Sequence, residues 1–249
     1  MRKHSIPGDR VLPNGLVILH EDRDVIVVDK PAGLLTIATA KDDDRTAYFI
    51  LTDYVRKGCA KSRNRVFIVH RLDRDTSGVL VFARTEQAKM RLQGEWDTTR
   101  KKYLAVVHGR PAKDADTISS YLAENDAHIV YTTADPTKGK LSQTAYKVLK
   151  ATKDYTLLEV DLLTGRKNQI RVHLAGIGHP IVGDKKYGGK KDASQPRLAH
   201  QPHLALHAWT IAFNHPFSGA PLTFTAKVPG SINGLVGGVG LADNPQPHP

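Results

Sequence analysis

Two clusters of polar and charged residues in this sequence have the composition of a reactive site. The first reads HRLDRDTSG at residues 70–78 and lies between two apolar runs. A carboxylate such as that of Asp73 stays ionised beside the guanidinium groups of Arg71 and Arg74, which suits a nucleophile or a base, and arginines also hold phosphate. The alternative is an ordinary turn in which Asp and Gly serve the turn geometry. The local pattern alone leaves both interpretations open.

The second cluster reads TGRKNQIRVH at residues 164–173 and lies where a predicted strand gives way to a predicted helix. Main-chain amides at a helix N-terminus, together with basic side chains, suit a phosphate group. Arg166 lies in the predicted turn, and Gln169 and Arg171 are placed to reach across the sheet. The alternative is a basic turn that contacts only solvent.

Two further groups contain residues of metal-binding type, but neither predicts a metal site. His200, His203 and His207 have helical spacing, yet Pro202 and the apolar residues 204–206 favour a loop that runs into a strand, where the imidazoles do not converge. The acidic run at 42–44 has no further ligands at metal-site spacing. No glycine-rich phosphate loop follows a strand. We therefore expect neither a metal nor a nucleotide cofactor.

The elements around the two clusters predict an α+β fold. Short apolar runs predict strands at 25–28, 66–69, 79–83 and 103–107, an alternating strand around 158–162, and late strands near 204–213 and 222–228. Thr46 and Thr85 are placed to cap helices, and a third helix is predicted at about 168–175. Strands and helices do not alternate regularly, which indicates a mixed, largely antiparallel sheet flanked by helices and loops.

The pattern along the chain predicts one catalytic domain with two extensions. Residues 1–16 are polar and read as an arm, and residues 17–229 form the predicted domain. Residues 230–249 are rich in Gly and Pro and predict a flexible tail. Within the domain, residues 111–140 have few large apolar side chains, and we expect them to form an excursion from the core.

Composition favours a polyanionic partner in a reducing compartment. The 249 residues carry a formal net charge of +11, which attracts RNA, DNA or an acidic surface. Cys59 is the only cysteine, so an internal disulfide is excluded. No secretory signal and no apolar run of about 20 residues is present. We expect a cytoplasmic protein that does not enter a membrane.

Five segments, in order, resemble those of RluA-type RNA pseudouridine synthases. They are VIVVDKPAGLL at 25–35, HRLDRDTSGVLVFA at 70–83, KKYLAVVHG at 101–109, TGRKNQIRVHLAGIGHPIVGDKKYG at 164–188 and LHAWTIAFNHPFSGAPLTF at 206–224. The resemblance spans about residues 17–229. It implies the pseudouridine synthase fold and the isomerisation of specific uridines in structured RNA, without a cofactor.

The resemblance also assigns roles to individual residues. Asp73 matches the essential aspartate, which attacks the ribose or the uracil, or abstracts a sugar proton. Tyr103 matches the active-site tyrosine that packs on the target base. Arg171 matches the arginine that pairs with the catalytic carboxylate and keeps it ionised.

The expected RNA contacts come from both clusters. Arg71 matches the residue that fills the space of the flipped base, and we expect Arg74, Arg166, Lys167 and Asn168 to contact RNA as well. The family usually has His where Asn168 stands. Because Asn also donates and accepts hydrogen bonds, we expect this difference to tune the site without disabling it.

The substrate expected is a stem-loop of rRNA or tRNA, bound by a monomer. Only about two dozen residues precede the first predicted catalytic strand, too few for the family's accessory RNA-binding module. A non-catalytic RNA-binding or assembly factor that retains the fold is the main alternative. A hydrolase of glycosidic bonds is a second one, but it requires a paired acid at a definite separation.

Overall fold

The computed structural model describes residues 10–38, 46–59, 61–188 and 203–240. In chain order the strands are β1 (Arg10–Val11), β2 (Val17–Glu21), β3 (Val25–Lys30), β4 (Phe67–Ile68), β5 (Ser77–Ala83), β6 (Arg100–His108), β7 (Ala115–Glu124), β8 (Val130–Thr133), β9 (Lys140–Ala151), β10 (Tyr155–Leu162), β11 (Leu206–Asn214) and β12 (Pro221–Thr225). The helices are α1 (Ala47–Arg56), α2 (Glu86–Gly94), α3 (Gln169–Gly176) and α4 (Gly230–Val236). Among the described residues, no helix has the length and apolar character needed to cross a membrane.

The chain divides into two compact units. Of the described residues, those up to Thr99 together with Thr210–Lys227 form the first unit, and those of Arg100–Trp209 together with the residues from Val228 onward form the second. The strand β11 contributes residues to both.

In the first unit, β1, β2, β3 and β5 are antiparallel neighbours in that order, β4 also pairs with β5, and β12 pairs with β11. The β-branched runs of β3 and β5 favour strands that are buried on both faces. Their side chains pack with Ala88 and Leu92 of α2 and with Ile211 and Phe213 of β11 into one core. This core fixes the ends of β4 and β5, between which the first polar cluster lies.

In the second unit, the strand order is β6, β10, β9, β7 and β8, and every pair is antiparallel. The helix α3 packs on β7, β8 and β9, and α4 packs on β6 and β10. The strand pairs named above are all antiparallel, and an isolated bridge between Leu35 and Thr46 is parallel. The predicted α+β fold class with a mixed, largely antiparallel sheet is confirmed.

The predicted helix caps are present. The hydroxyl oxygen of Thr46 accepts from the main-chain N–H of Phe49 at 3.1 Å, and that of Thr85 accepts from Ala88 at 3.1 Å. Each bond satisfies one of the N–H groups that the first turn of a helix leaves without a partner. The third predicted helix is α3, within one residue of the expected bounds.

Two expectations differ from the structure. Residues 111–140 are not an excursion, because β7 pairs with β9 from Ala115 to Leu122 and extends the sheet. Few residues of β7 are buried, so the strand lacks the apolar alternation that reveals most strands. Residues 230–236, assigned to the flexible tail, form α4 and bury Ile232 and Val236. The predicted domain bounds themselves remain a prediction.

Candidate active site

Both main-chain polar groups of Leu72, the residue before Asp73, bond to one buried hydroxyl. Thr36 Oγ1 donates to the carbonyl oxygen of Leu72 at 2.9 Å and accepts from the Leu72 N–H at 3.2 Å. Thr36 is 2% exposed and Leu72 is 7% exposed. Because both main-chain groups of Leu72 are satisfied by one rigid side chain, the entry of the chain into Asp73 has a defined position.

Arg74, the residue after Asp73, is held through its carbonyl oxygen. The carbonyl oxygen of Arg74 accepts from Lys30 Nζ at 3.0 Å and from the Gly33 N–H at 2.9 Å. The Thr76 N–H donates to the Asp73 carbonyl oxygen at 3.2 Å and closes a turn. The main chain on both sides of Asp73 is thus fixed, while the Asp73 side chain itself remains half-buried.

Lys30 is an ionisable residue that lies inside the protein at the end of a buried strand. Its side chain is fully buried, and Nζ also donates to the carbonyl oxygens of Pro31 at 3.0 Å and Leu34 at 2.7 Å. Burial lowers the pKa of Lys30 to about 7, although the carboxylates of Asp75, Asp73 and Asp29 act to raise it. Sequence reasoning gave Lys30 no role, although a single lysine at the end of a buried apolar strand is a usable signal.

The base of the loop is fixed by His70. Its Nε2 accepts from the main-chain N–H of Val81 at 3.1 Å, and its ring packs on Trp96 with centroids 4.6 Å apart. Gln93 of α2 donates to the Val69 carbonyl at 3.1 Å. The loop therefore rests on β5 and α2 and does not depend on its own turn alone.

In the second cluster, the buried side chain of Gln169 organises the turn before α3. Its Oε1 accepts from Thr164 Oγ1 at 2.8 Å and from the Arg166 N–H at 3.0 Å. Its Nε2 donates to the Gln143 carbonyl and to Thr144 Oγ1, both at 2.9 Å. All the hydrogen-bonding capacity of the amide is used to hold the TGR turn on β9. Gln169 was predicted to reach across the sheet; in the structure its side chain contacts β9 and its own turn.

Asn168 adopts a left-handed backbone conformation, with φ of 52°. Asn is one of the non-glycine residues enriched in this region, so the side chain suits this backbone conformation. Asn168 Oδ1 also accepts from Tyr187 Oη at 3.2 Å, and Tyr187 Oη accepts from the Val130 N–H at 3.2 Å. The residue therefore has a structural role at the start of α3.

Arg171 makes a bidentate ion pair with Asp184. Its Nε and Nη2 donate to the two carboxylate oxygens at 2.8 Å each, and the Asp184 side chain is 0% exposed. Burial raises the pKa of Asp184, but Arg171 and the N–H groups of Tyr187 and Lys186 outweigh it and hold that pKa below its ordinary value. Asp184 fixes the plane of the Arg171 guanidinium, and sequence reasoning did not assign it a role.

The residue before Asp184 must be glycine. Gly183 has φ of +78°, and a Cβ built on it would lie 2.6 Å from the carbonyl oxygen of His203. That distance is a steric clash, and the positive φ adds strain for any other residue. The GD pair at 183–184 thus combines a close main-chain approach with the carboxylate that orients Arg171.

The predicted pairing of Arg171 with Asp73 remains a prediction. Tyr103 lies on β6, opposite Val160 of β10, and is 8% exposed. It belongs with Arg171 to the second unit, whereas Asp73 belongs to the first.

The residues predicted to contact RNA are mostly exposed. Arg71, Arg74 and Arg166 are exposed, and Lys167 is exposed but forms an ion pair with Glu124. Glu124 offsets part of the Lys167 charge, and the predicted RNA contacts of these residues remain predictions.

Among the described residues, one group has metal-ligand composition. Asp22, Asp24 and His215 place ligand atoms within 4.8 Å of one another. However, His215 Nδ1 accepts from the N–H groups of Phe217 and Ser218, so the neutral ring carries its proton on Nε2, and the Asp22 carboxylate already accepts from the N–H groups of Asp24 and Val25. The arrangement is that of a hydrogen-bonded network. His200 of the histidine group, and the acidic run 42–44, lie outside the described residues.

Comparison with known proteins shows the family. The model of the RNA pseudouridylate synthase family matches residues 24–176, which include both the Asp73 loop and Arg171. This chain belongs to that family. The membership confirms the resemblance and the predicted class of enzyme, an isomerase that forms pseudouridine in RNA.

Curated relatives of this family member carry consistent names. Ribosomal large subunit pseudouridine synthase D of Nitrosomonas europaea is 36% identical over 225 residues, which cover 89% of this chain and 64% of the relative. The protein of the same name from Zymomonas mobilis is 35% identical, with 91% and 72% covered. An RNA pseudouridine synthase of Bacillus subtilis is 35% identical, with 90% and 73% covered. This chain thus spans about two thirds to three quarters of the relatives' lengths.

Solved structures support the fold. Human RNA pseudouridylate synthase domain containing 4 superposes with a TM-score of 0.71 at 25% identity, with 86% of this chain and 89% of that chain covered. Human RNA pseudouridylate synthase domain containing 1 gives 0.69 at 26% identity, with 91% and 86% covered.

Proposed function

We propose that this protein isomerises uridine to pseudouridine in large-subunit ribosomal RNA, with Asp73 as the catalytic carboxylate. The observation that carries the proposal is the fixed main chain around Asp73. Thr36 holds Leu72, and Lys30 and Gly33 hold Arg74. A side chain that reacts must be held in position by groups that are themselves rigid.

The reaction needs no net addition or loss of atoms. The bond between the ribose carbon and uracil nitrogen breaks, the base rotates, and a bond from the same ribose carbon to carbon 5 of uracil forms. The proton leaves carbon 5 and the ring nitrogen that lost the ribose gains one. A carboxylate serves this sequence as nucleophile or as base. The base must first leave its stack, which costs a few kcal/mol and least in a loop.

Ribosomal RNA is the proposed substrate because relatives from several bacteria are named ribosomal large subunit pseudouridine synthase D. The positive charge of the chain supports a polyanionic substrate of this kind. We further propose that the protein acts as a monomer in the cytoplasm. Light scattering on the purified protein tests the oligomeric state, and fractionation of cells tests the location.

The test is an in vitro assay on transcribed large-subunit rRNA fragments and on tRNA, with pseudouridine mapped by chemical modification and primer extension. We expect pseudouridine in rRNA with the wild type and none with Asp73→Asn, while Asp53→Asn on the exposed face of α1 serves as the control. RNA binding without isomerisation by the wild type would indicate the assembly factor. Release of uracil would indicate the glycosidic hydrolase.

Tyr103 and Arg171 are proposed to act beside Asp73 as the family resemblance implies. Tyr103→Phe separates two roles for the tyrosine. If the ring stacks on the base, the variant keeps most of its rate; if the hydroxyl moves a proton, the rate falls by about 10²–10⁴-fold.

A further inference from the structure

A pocket of about 730 Å³ lies in the first unit, away from the residues of the Asp73 loop, and arginines dominate its lining. They are Arg23, Arg56, Arg63, Arg65 and Arg84. We call this feature the arginine pocket. Its volume falls within the roughly 300–1,000 Å³ of pockets that bury a small molecule or a comparable part of a larger ligand.

Strand register explains why these arginines converge. Ala83, near the end of β5, pairs with Val25 at the start of β3 and with Phe67 at the start of β4. The arginines that flank these positions, Arg23, Arg65 and Arg84, are therefore brought to the same end of three adjacent strands. The end of α1 and the loop before β4 contribute the other two.

The charges in the pocket are only partly compensated. Arg84 forms an ion pair with Glu21 at 3.0 Å, and Arg65 stacks over the Phe67 ring at 5.0 Å. Arg23 and Arg63 are exposed, and within the described part of the chain neither makes a hydrogen bond or an ion pair.

Converging guanidinium groups repel one another unless an anion lies between them. Arginine presents a planar fork of donors that matches phosphate bidentately, and its exposed face stacks on aromatic rings. The pocket adds apolar surface from Val55 and Phe67 and polar groups from Ser62 and Asn64. This combination fits a sugar–phosphate chain better than a single inorganic anion.

The arginine pocket lies at the opposite end of β5 from the Asp73 loop. The loop precedes Ser77, the first residue of β5, whereas Arg84 follows its last residue. Six residue steps of strand separate Ser77 from Ala83, which is roughly 20 Å. A ligand in the pocket is therefore not the nucleotide that reacts at Asp73.

We propose that the arginine pocket binds the phosphodiester backbone of the RNA substrate, several nucleotides away from the uridine that is modified. The proposal rests on the proposed function, because it takes RNA as the substrate. The contact would fix the register of the RNA on the first unit without reading its sequence, as phosphate contacts do.

The first experiment measures binding of a fluorescein-labelled transcript of large-subunit rRNA. For Arg23→Ala/Arg63→Ala we expect RNA affinity to fall about 10-fold. The slope of log K against log salt should decrease in magnitude by about 1–2, since each phosphate contact contributes about 0.7–0.9. The single-turnover rate at saturating RNA should not change. Arg23→Lys/Arg63→Lys should recover part of the RNA affinity. The control for net charge is Lys147→Ala/Lys153→Ala, which removes two exposed charges of the second unit.

The second experiment uses Cys59, the only cysteine of the chain, which is exposed. Its N–H donates to the Arg56 carbonyl and its carbonyl accepts from the Ser62 N–H, so it joins two residues that line the arginine pocket. A thiol-linked photocrosslinker at Cys59 should attach to the transcript at a nucleotide distant in sequence or structure from the modified uridine. The double alanine variant should lose that crosslink.

Several results would overturn the proposal. The first is wild-type RNA affinity and salt slope in Arg23→Ala/Arg63→Ala. The second is an equal loss of RNA affinity in Lys147→Ala/Lys153→Ala. The third is a crosslink at the modified uridine itself. Millimolar inorganic phosphate could also protect the wild type from thermal unfolding. If Arg23→Ala/Arg63→Ala abolishes that protection but leaves RNA affinity unchanged, the pocket is a small-anion site instead. Because binding and crosslinking do not require isomerisation, they test the arginine pocket even if no pseudouridine forms.

Discussion

Lys30 Nζ lies 3.0 Å from the carbonyl oxygen of Arg74, the residue that follows Asp73 in the chain. Lys30 ends β3, and Arg74 lies in the loop that precedes β5. The bond therefore connects a strand of the buried core to the loop that carries the proposed catalytic carboxylate. This makes Lys30 a positioning residue.

Lys30→Met should disturb this loop with little change in bulk. Methionine removes the donors to Pro31, Leu34 and Arg74 and the positive charge near Asp73. We expect the single-turnover rate at saturating RNA to fall about 100-fold, the scale of a 1 Å misplacement, while RNA affinity stays close to that of the wild type. Lys153→Met, in an exposed turn, is the control. A wild-type rate in a normally folded Lys30→Met protein would show that the loop keeps its position without Lys30.

Asp184→Asn should weaken the second unit through Arg171. The substitution removes the Asp184 charge from a guanidinium that is only 14% exposed, and loss of one partner of a buried pair costs about 3–5 kcal/mol. We expect the free energy of unfolding in urea to drop by roughly 3 kcal/mol, at the lower end because Arg171 retains some solvent contact. Asp154→Asn in an exposed turn should leave it unchanged. Equal stability of the two variants would contradict the role given to the pair.

His173 should make the protein sensitive to acid. Burial lowers its pKa from 6.5 to about 4, and its ring nitrogens interact with Ser120 Oγ at 3.0 Å and Thr144 Oγ1 at 2.9 Å. Between pH 6.5 and pH 4 the unfolded chain binds a proton that folded His173 does not. Stability from this group is therefore fully present above pH 6.5 and decreases as the pH falls, by on the order of 3 kcal/mol near pH 4.

The measurement compares the wild type with His173→Gln in urea unfolding at pH 7 and pH 4.5, followed by tryptophan fluorescence. Glutamine keeps hydrogen-bonding groups near Ser120 and Thr144 but does not titrate, so its stability should depend less on pH. His128→Asn, at an exposed histidine with a positive φ that Asn also tolerates, should keep the pH dependence of the wild type. An unchanged pH dependence in His173→Gln would show that other groups cause the acid sensitivity.

The sequence predicted the parts of the structure that have a strong local signal. Apolar runs located β3 and β5, and Thr46 and Thr85 marked two helix starts because capping is a local interaction. The strand β7 was missed because its residues are largely polar on both faces. The helix α4 was missed because Gly and Pro around it predict turns, and its two buried residues depend on the surface that they pack against.

The motifs proposed residues for the candidate site but did not predict the contacts that hold these residues in place. Asp73 and Arg171 were proposed from their motifs, and their roles remain predictions. Roles for Lys30, Thr36 and Asp184 were not predicted. Lys30 and Thr36 act through hydrogen bonds to residues 36–44 positions away in the sequence, and the role of Asp184 depends on its burial. Such contacts are set by the tertiary fold, and no periodicity in the chain reports them.

Thr36 provides the sharpest test of the fixed loop, because a nearly isosteric change removes only its hydroxyl. In the wild type, Thr36 Oγ1 both donates to and accepts from the main chain of Leu72. Thr36→Val leaves a buried carbonyl and a buried N–H of Leu72 without this partner, at a cost of about 1–3 kcal/mol each. Thr36→Ser keeps the hydroxyl and loses only a methyl group. We expect the valine variant to melt at a lower temperature and, when assayed well below that temperature, to have a reduced single-turnover rate with nearly unchanged RNA affinity. The serine variant should recover most of the rate. If valine and serine variants are equally slow, packing of the methyl group and not the hydroxyl positions Asp73, and the proposed role of Thr36 is wrong.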